Sequence, residues 1–310
     1  MERGDEANLS LDRLRDAVRS EVGKVVVGYE DAVDLLLVAA VAGGHVLLEG
    51  PPGVAKTMLA GSIAQVLGIS FKRVQFTPDT TPNHLTGSTI EVMGESRFVP
   101  GPIFTNVLLA DEVNRTPART QAALLEAMQE RHITHDGRTH WLPSPFMVIA
   151  TQNPYEHAGV YELPESQLDR FLFKIVLNYL DPEEELKILR LPHRGLSPDL
   201  LGEVQPLLDV ARLDKAQRQI DSTEVPDDVA RIAVAITRAT RTHPDVMLGA
   251  GPRALMHLLT AAKASARLDN REVVSRNDVV AMARVVLGHR LILRNGANAA
   301  VVVDDAVRAS

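Results

Sequence analysis

The chain contains no cysteine, which excludes disulfides, thiol nucleophiles and cysteine-ligated zinc or iron–sulfur centres. Aromatic residues are scarce, 12 of 310 with a single tryptophan. Tracking along single-stranded nucleic acid relies on aromatic stacking platforms, so a nucleic-acid partner is disfavoured. Long apolar runs are also missing. The longest, Leu35 to Leu48, is interrupted by Gly43, Gly44 and His45, whereas a membrane span needs about 20 apolar residues. The opening MERGDEANLS lacks the basic-then-apolar order of a signal peptide. The expectation is a soluble, cytoplasmic protein.

Apolar residues make up 45% and charged residues 24% of the chain, enough to bury a sizeable core and to exclude disorder as the main state. One core stops growing at roughly 250–300 residues, so a large domain plus a smaller one is expected. The net charge of −7 is unevenly spread. Residues 226–310 hold 12 Lys/Arg against 8 Asp/Glu, a balance of +4, which leaves −11 for the first 225. An acidic main domain and a mildly basic tail can attract each other between neighbouring subunits, though an ordinary solvated helical surface reads the same way.

Helical patterns alternate with short β-rich runs, the signature of a parallel sheet covered on both faces. Ser10 is expected to cap a helix carrying Leu11, Leu14 and Val18, and a second helix runs from about Tyr29 to Ala42. Five strands are expected, at His45–Glu49, Phe71–Phe76, Asn106–Ala110, Phe146–Thr151 and Phe171–Leu177. Between them lie helices at Lys56–Leu67 and Pro117–Glu130, the latter with Thr116 as its cap and Pro117 in its first position. Asp181-Pro182 opens another helix. The stretch Leu191–Val225, with Pro192, Gly195, Pro198 and Pro206, reads as a connector holding a short helix. After Pro226 strand signals vanish and three helical patterns follow, near 227–241, 252–267 and 276–288. The expected division is 1–180, 181–225 and 226–310.

Gly50-Pro51-Pro52-Gly53-Val54-Ala55-Lys56-Thr57 follows a strand and opens a helix, the context a phosphate-binding loop requires. Backbone N–H groups of such a loop surround nucleotide phosphates. Lys56 would reach the β and γ phosphates and Thr57 would offer its hydroxyl to Mg²⁺. Ala55 stands where glycine usually precedes the lysine; a helical φ tolerates its methyl group, and a positive φ strains the loop. Some 55 residues on, Val107–Asp111 is an apolar strand ending in Asp111 and Glu112. The first acid suits Mg²⁺ and the second suits an attacking water. Phe146–Pro154 is a third buried strand, ending in Gln152 and Asn153. Asn153 either holds the water near the γ-phosphate or forms the turn before Pro154.

These elements resemble AAA+ ATPases, and the chain is similar in particular to the MoxR family. The likeness is carried by Gln75–Asp79, Phe98–Phe104, Ala110–Arg115, Thr120–Met128, Ala150–Pro154 and Leu163–Phe171. Gly251-Pro252-Arg253 and His289–Leu293 extend it over nearly the whole chain. In that family alanine before the lysine is usual. The resemblance implies an AAA+ P-loop αβα sandwich on a five-stranded parallel sheet, with a small all-α C-terminal lid domain. It implies ATP and Mg²⁺ as cofactors. Arg170 matches the arginine finger that reaches a neighbouring subunit's γ-phosphate, where a planar guanidinium meets developing charge. An ordinary surface pair with Asp169 is the plainer alternative.

Arg253 matches the second sensor arginine, in the first turn of a helix; whether it serves its own site or a neighbour's stays open, and a solvated helix residue is its plainer reading. Val27-Gly28 matches the segment lining the adenine pocket, or else a helix-start turn. Two insertions follow from the likeness, one at Thr86–Phe98 and a hairpin at His132–Leu142 turning at Asp136-Gly137. Related machines aim such insertions at a central pore. His132, His135 and His140 need not converge on a metal.

The function implied is an ATP hydrolase that works as an oligomer, a hexameric ring, and remodels protein partners in the manner of a chaperone. A separate protein with a von Willebrand A domain is the expected partner. The alternatives are a nucleotide-gated scaffold with little hydrolysis and a subunit like those of magnesium chelatase. Intact Glu112 and Arg170 argue against the scaffold.

Overall fold

The computed structural model describes residues 11–92, 94–155, 160–191, 198–294 and 296–310. The expected cap Ser10 and the connector residues Pro192 and Gly195 lie outside them. In chain order the elements are α1 (Leu11–Val22), α2 (Glu30–Val41), β1 (Val46–Glu49), α3 (Lys56–Val66), β2 (Phe71–Gln75), α4 (Pro82–Thr86), β3 (Gly87–Val92), β4 (Glu95–Pro100) and β5 (Val107–Asp111). They continue with α5 (Ala118–Glu130), β6 (His132–His135), β7 (Arg138–Trp141), β8 (Met147–Gln152), α6 (Glu165–Leu168), β9 (Phe173–Val176), α7 (Pro182–Arg190) and α8 (Val210–Asp221). The C-terminal part holds α9 (Asp227–Thr242), β10 (Val246–Leu248), α10 (Pro252–Leu268), α11 (Arg276–Leu287), β11 (Ile292–Leu293) and α12 (Ala299–Arg308).

The main sheet has the order β2-β5-β8-β1-β9, and all its pairings are parallel. Side chains alternate along each strand, so a strand covered on both faces must be apolar throughout. β5 is buried at all five positions. Val46, Leu48, Val107, Leu109, Met147 and Ile149 face a core that α1, α2 and α3 share with the C-terminal helices. Leu47, Leu108, Ala110, Val148 and Ala150 face the other core, under α5. The result is an αβα sandwich with a helical C-terminal region packed on the first face. The edge strand β2 has one side to solvent, which accounts for its polar FKRVQ sequence.

The five expected strands all form within two residues of their expected bounds, and α9, α10 and α11 lie where the periodicity puts them. Four details differ. Pro117, not Thr116, occupies the cap position of α5; Thr116 is buried, and its hydroxyl donates to the Thr80 carbonyl at 3.2 Å, tying this helix start to the turn before α4. The connector holds a 3₁₀ turn at Pro198–Glu203 and the twelve-residue α8, which begins at an Asp209 cap. The C-terminal region adds a two-stranded antiparallel ribbon, β10 with β11, too short for any periodicity to signal. It also adds α12, whose Val301-Val302-Val303 run is β-branched and so a weak helix signal; burial of Val302, Val303 and Ala306 holds it in place.

Both expected insertions are hairpins, β3 with β4 and β6 with β7. Asp136 and Gly137, at φ +48° and +72°, form the turn of the second. The hairpins touch: Phe98 stacks on His140 at 4.1 Å, and Thr89 donates to Asp136 at 2.8 Å. The three histidines there do not gather at a metal; among the described residues no cluster of three ligating side chains exists. No described helix is long and apolar enough to cross a membrane.

Candidate functional site

Parallel strands all point their C-terminal ends to one edge, and the loops leaving that edge are where αβα sheets bind ligands. The three central strands end side by side in Asp111-Glu112, Gln152-Asn153 and Glu49-Gly50, because β8 lies between β5 and β1. Gly50 starts the loop into α3. A Cβ there would lie 2.4 Å from the Leu177 carbonyl, so glycine lets the exits of β1 and β9 run close together. Gly53 has φ +87° with open space around it. Ala55 is left-handed, at φ +56° and ψ +23°, so the alanine stands in the strained conformation rather than the helical one. Lys56 donates its Nζ to the carbonyls of Gly50 at 2.6 Å and Pro51 at 3.0 Å, lying across the loop it belongs to. Thr57 is in the first turn of α3, whose N-terminus faces the same edge.

Asp111 is nearly buried. Thr151 donates to one of its oxygens at 2.6 Å, and the other pairs with Arg73 of β2 at 2.6 and 3.0 Å. Glu112 sits just past the strand in a left-handed conformation, φ +58° and ψ +49°, held by its amide donating to the Thr151 hydroxyl at 2.9 Å. Its carboxylate accepts from Gln75 and pairs with Arg115, each at 3.2 Å. Strain of this kind in a non-glycine residue marks a side chain held in a set direction. Asn153 is buried and accepts from the Tyr155 amide at 3.1 Å, so it does form the turn at Pro154 while standing at the site edge. Gly28, at φ +81°, packs on Leu180 just beyond β9, and Tyr29 donates to the Asn178 carbonyl at 2.9 Å. Val27-Gly28 therefore belongs to the same edge as the loop.

Sequence reasoning assigned no role to Arg73, Gln75 or Thr151. An arginine or glutamine on a half-exposed edge strand carries no signal of its own; only the β2–β5 register, Gln75 beside Asp111, brings them to the acids. The donors at this edge suit a magnesium nucleotide. Thr57 and Asp111 offer hard oxygen atoms, and the loop leads into the N-terminus of α3, whose first amides have no partner within the helix.

Arg170 and Arg253 are elsewhere. They line a recess of about 220 Å³ with Gly44, His45, Arg131 and His257. His45 precedes β1 and Leu172 precedes β9, so this recess is at the N-terminal edge of the sheet. Arg170 donates to the Leu125 carbonyl at 2.9 Å, and its buried Nε meets no acceptor among the described residues. It does not form the plain pair with Asp169. That carboxylate bridges Arg253 at 3.3 Å and Arg290 at 2.9 Å. Burial pushes His45 down to about 3, aided by Arg131, and pushes His257 down to about 4, aided by Arg290. Both imidazoles are neutral at pH 7; His45 Nδ1 accepts from the Val148 amide, and its Nε2 donates to the Met128 carbonyl at 3.1 Å.

Comparison with known proteins identifies the family and the fold. The family profile described as "ATPase family associated with various cellular activities (AAA)" matches residues 45–173, and the AAA lid domain profile matches 238–309. Chaperone MoxR1 of Mycobacterium tuberculosis is 43% identical over 281 residues, covering 88% of this chain and 74% of that protein. Protein MoxR of Paracoccus denitrificans is 32% identical, covering 91% and 89%. The uncharacterized protein YeaC of Bacillus subtilis is 44% identical, covering 88% and 85%. A crystal structure from Cytophaga hutchinsonii, of a protein provisionally named an ATPase, superposes with a TM-score of 0.87 at 37% identity over 96% of this chain and 95% of that one. With a nucleotide-type loop and paired acids at one sheet edge, two arginines at the other and relatives matched nearly end to end, this chain belongs to the MoxR family of AAA+ ATPases.

Proposed function

We propose that the protein hydrolyses ATP at sites shared between neighbouring copies in a hexameric ring, and uses that hydrolysis to remodel protein partners in the cytoplasm. The observation that carries this is the separation of Arg170 from its own Lys56. β1 has four residues, so the two sheet edges stand about 10 Å apart before the loops are counted. Arg170 cannot reach phosphates held at the opposite edge of its own chain. A residue on one face that serves a site on the opposite face of an identical copy requires a head-to-tail contact, and such contacts form a ring when the rotation between copies closes. Arg253, joined to the Arg170 segment through Asp169, then serves the neighbour's site too.

Within a site, Lys56 and the loop amides hold the β and γ phosphates, and Val27-Gly28 lies against the base. Thr57 and Asp111 would hold Mg²⁺, which would neutralise charge on the phosphate oxygens. Glu112 accepts the proton of the attacking water, and Asn153 orients that water. Arg170 of the adjacent copy neutralises the charge that develops in the transition state. Residues 1–180 form the nucleotide-binding unit, 181–225 the connector and 226–310 the lid. The relative named a chaperone supports a protein client, and a protein with a von Willebrand A domain is the partner class inferred from the family.

Arg170→Ala should bind ATP as the wild type does and hydrolyse it roughly 10³–10⁵-fold more slowly. Mixing it with Lys56→Ala should restore part of the activity, because some interfaces then join an intact loop to an intact finger. Differently tagged chains report subunit exchange. A mixture that exchanges yet stays as inactive as its parts refutes the shared site.

A further inference from the structure

The segment that carries Arg170 has unusual support. Arg290, in the 3₁₀ turn Gly288–Arg290 after α11, has a side chain only 2% exposed. Its guanidinium donates to the Asp169 carboxylate at 2.9 Å, to the Asp169 carbonyl at 3.1 Å, to the Phe171 carbonyl at 2.5 Å and to the Val286 carbonyl. His257 Nδ1 accepts from it as well. The carbonyls on either side of Arg170 are therefore both held by one side chain, and His289 adds a bond to Phe171 at 3.2 Å. On the other oxygen of Asp169 sits Arg253, from the start of α10. These three side chains, and His257 behind Arg290, belong to the C-terminal helical region. From the main domain come the Leu125 carbonyl, which accepts from Arg170 itself, the Leu172 amide bond to the His45 carbonyl and the burial of Phe171 in the core under α5.

Burying a guanidinium is costly unless its donors are satisfied, and here most of them are spent on the short stretch Asp169–Leu172 of a distant element. A planar fork with five donors can grip two carbonyls and a carboxylate at once; an ammonium cannot. The His289–Leu293 motif thereby gains a role that a nucleotide site in the same chain does not give it.

We propose that Arg290 is a positioning residue for Arg170: through Asp169 and the 169 and 171 carbonyls, the C-terminal region of each subunit sets the place of the finger offered to the next. This rests on Arg170 acting across the interface. A shift of that region in one copy then alters hydrolysis in its neighbour while leaving the first copy's own nucleotide contacts in place.

Arg290→Lys and Asp169→Asn, each in the full-length protein, provide the test. Steady-state ATPase rates, affinity for a fluorescent ATP analogue and thermal melting are measured in the wild-type and Arg170→Ala backgrounds. A misplacement of about 1 Å costs about 10² in rate, so kcat should fall by that order with nucleotide affinity unchanged. In the Arg170→Ala background Arg290→Lys should cost almost nothing more, since residues acting as a unit are not additive, and Asp169→Asn should keep only the smaller share it exerts through Arg253. Mixing Arg290→Lys with Lys56→Ala should recover activity, because the first supplies the intact loop and the second the intact finger.

A loss of equal size in both backgrounds, or an unchanged kcat in a folded variant, overturns the proposal. A wild-type rate for Arg170→Ala alone refutes the finger itself, which is a separate outcome. If Arg290→Lys does not fold, Asp169→Asn carries the comparison, since the Asp169 side chain is 31% exposed and its replacement keeps the shape.

Discussion

Ala55 gives a sign test of the loop geometry. At φ +56° and ψ +23° its Cβ crowds the adjoining carbonyl, a left-handed conformation that costs a non-glycine residue roughly 1–2 kcal/mol. Ala55→Gly removes that cost. It also loosens the unfolded chain, which gives back about 0.4–1 kcal/mol. The net effect is a stabilisation of about 0.5–1 kcal/mol, read as a higher urea midpoint at unchanged slope. Had position 55 the right-handed φ of a helix, the same change would destabilise by about 1 kcal/mol, because glycine is the poorer helix former.

Gly53→Ala is the companion. Its Cβ would meet nothing within 4 Å, so only the φ of +87° opposes it; the left-handed cost less the stiffening of the unfolded chain leaves a net loss of about 0.5–1 kcal/mol. Gly50→Ala should lose more than Gly53→Ala, since its Cβ collides with the Leu177 carbonyl at 2.4 Å. A lower midpoint for Ala55→Gly, or a neutral Gly53→Ala, would refute the left-handed loop.

Lys56→Ala should abolish tight ATP binding, and an unchanged affinity by isothermal titration would remove Lys56 from the phosphates. Glu112→Gln should keep binding and lose turnover; equal ATPase rates with wild type would exclude Glu112 as the base. Acid should destabilise the protein early. Burial lowers His45 to about 3, His257 to about 4 and also lowers His289, while the unfolded chain binds their protons near 6.5. Their folded pKa values are depressed, so the stability they share is complete above about pH 6.5 and is lost as pH falls toward those values, at up to about 1.4 kcal/mol per unit and histidine. Melting temperatures from pH 8 to 4.5 should drop below 6.5, and His45→Gln should flatten the fall. A flat profile in the wild type would contradict the buried neutral histidines.

The phosphate-type loop, the paired acids and the central strands were legible in the sequence because each is a local pattern. A strand's burial shows in its own residues, and a loop's conformation in its own glycines. Val107–Asp111 states in five letters that it is central and where it ends. The positive φ of Ala55 was not legible, since one residue type is compatible with both signs.

What the sequence by itself determined was a nucleotide-type edge on an αβα sheet and, through its motifs, the family. The tertiary structure alone decided which arginines share a recess and which edge they occupy. Arg253 lies 84 positions from Asp169 and Arg290 lies 121 from it, yet all three meet in one ion-paired cluster at the edge opposite Lys56. Sequence separation says nothing about which end of a sheet a loop leaves from. That follows from strand order and direction, and these are set by the packing of two apolar faces that no single motif contains.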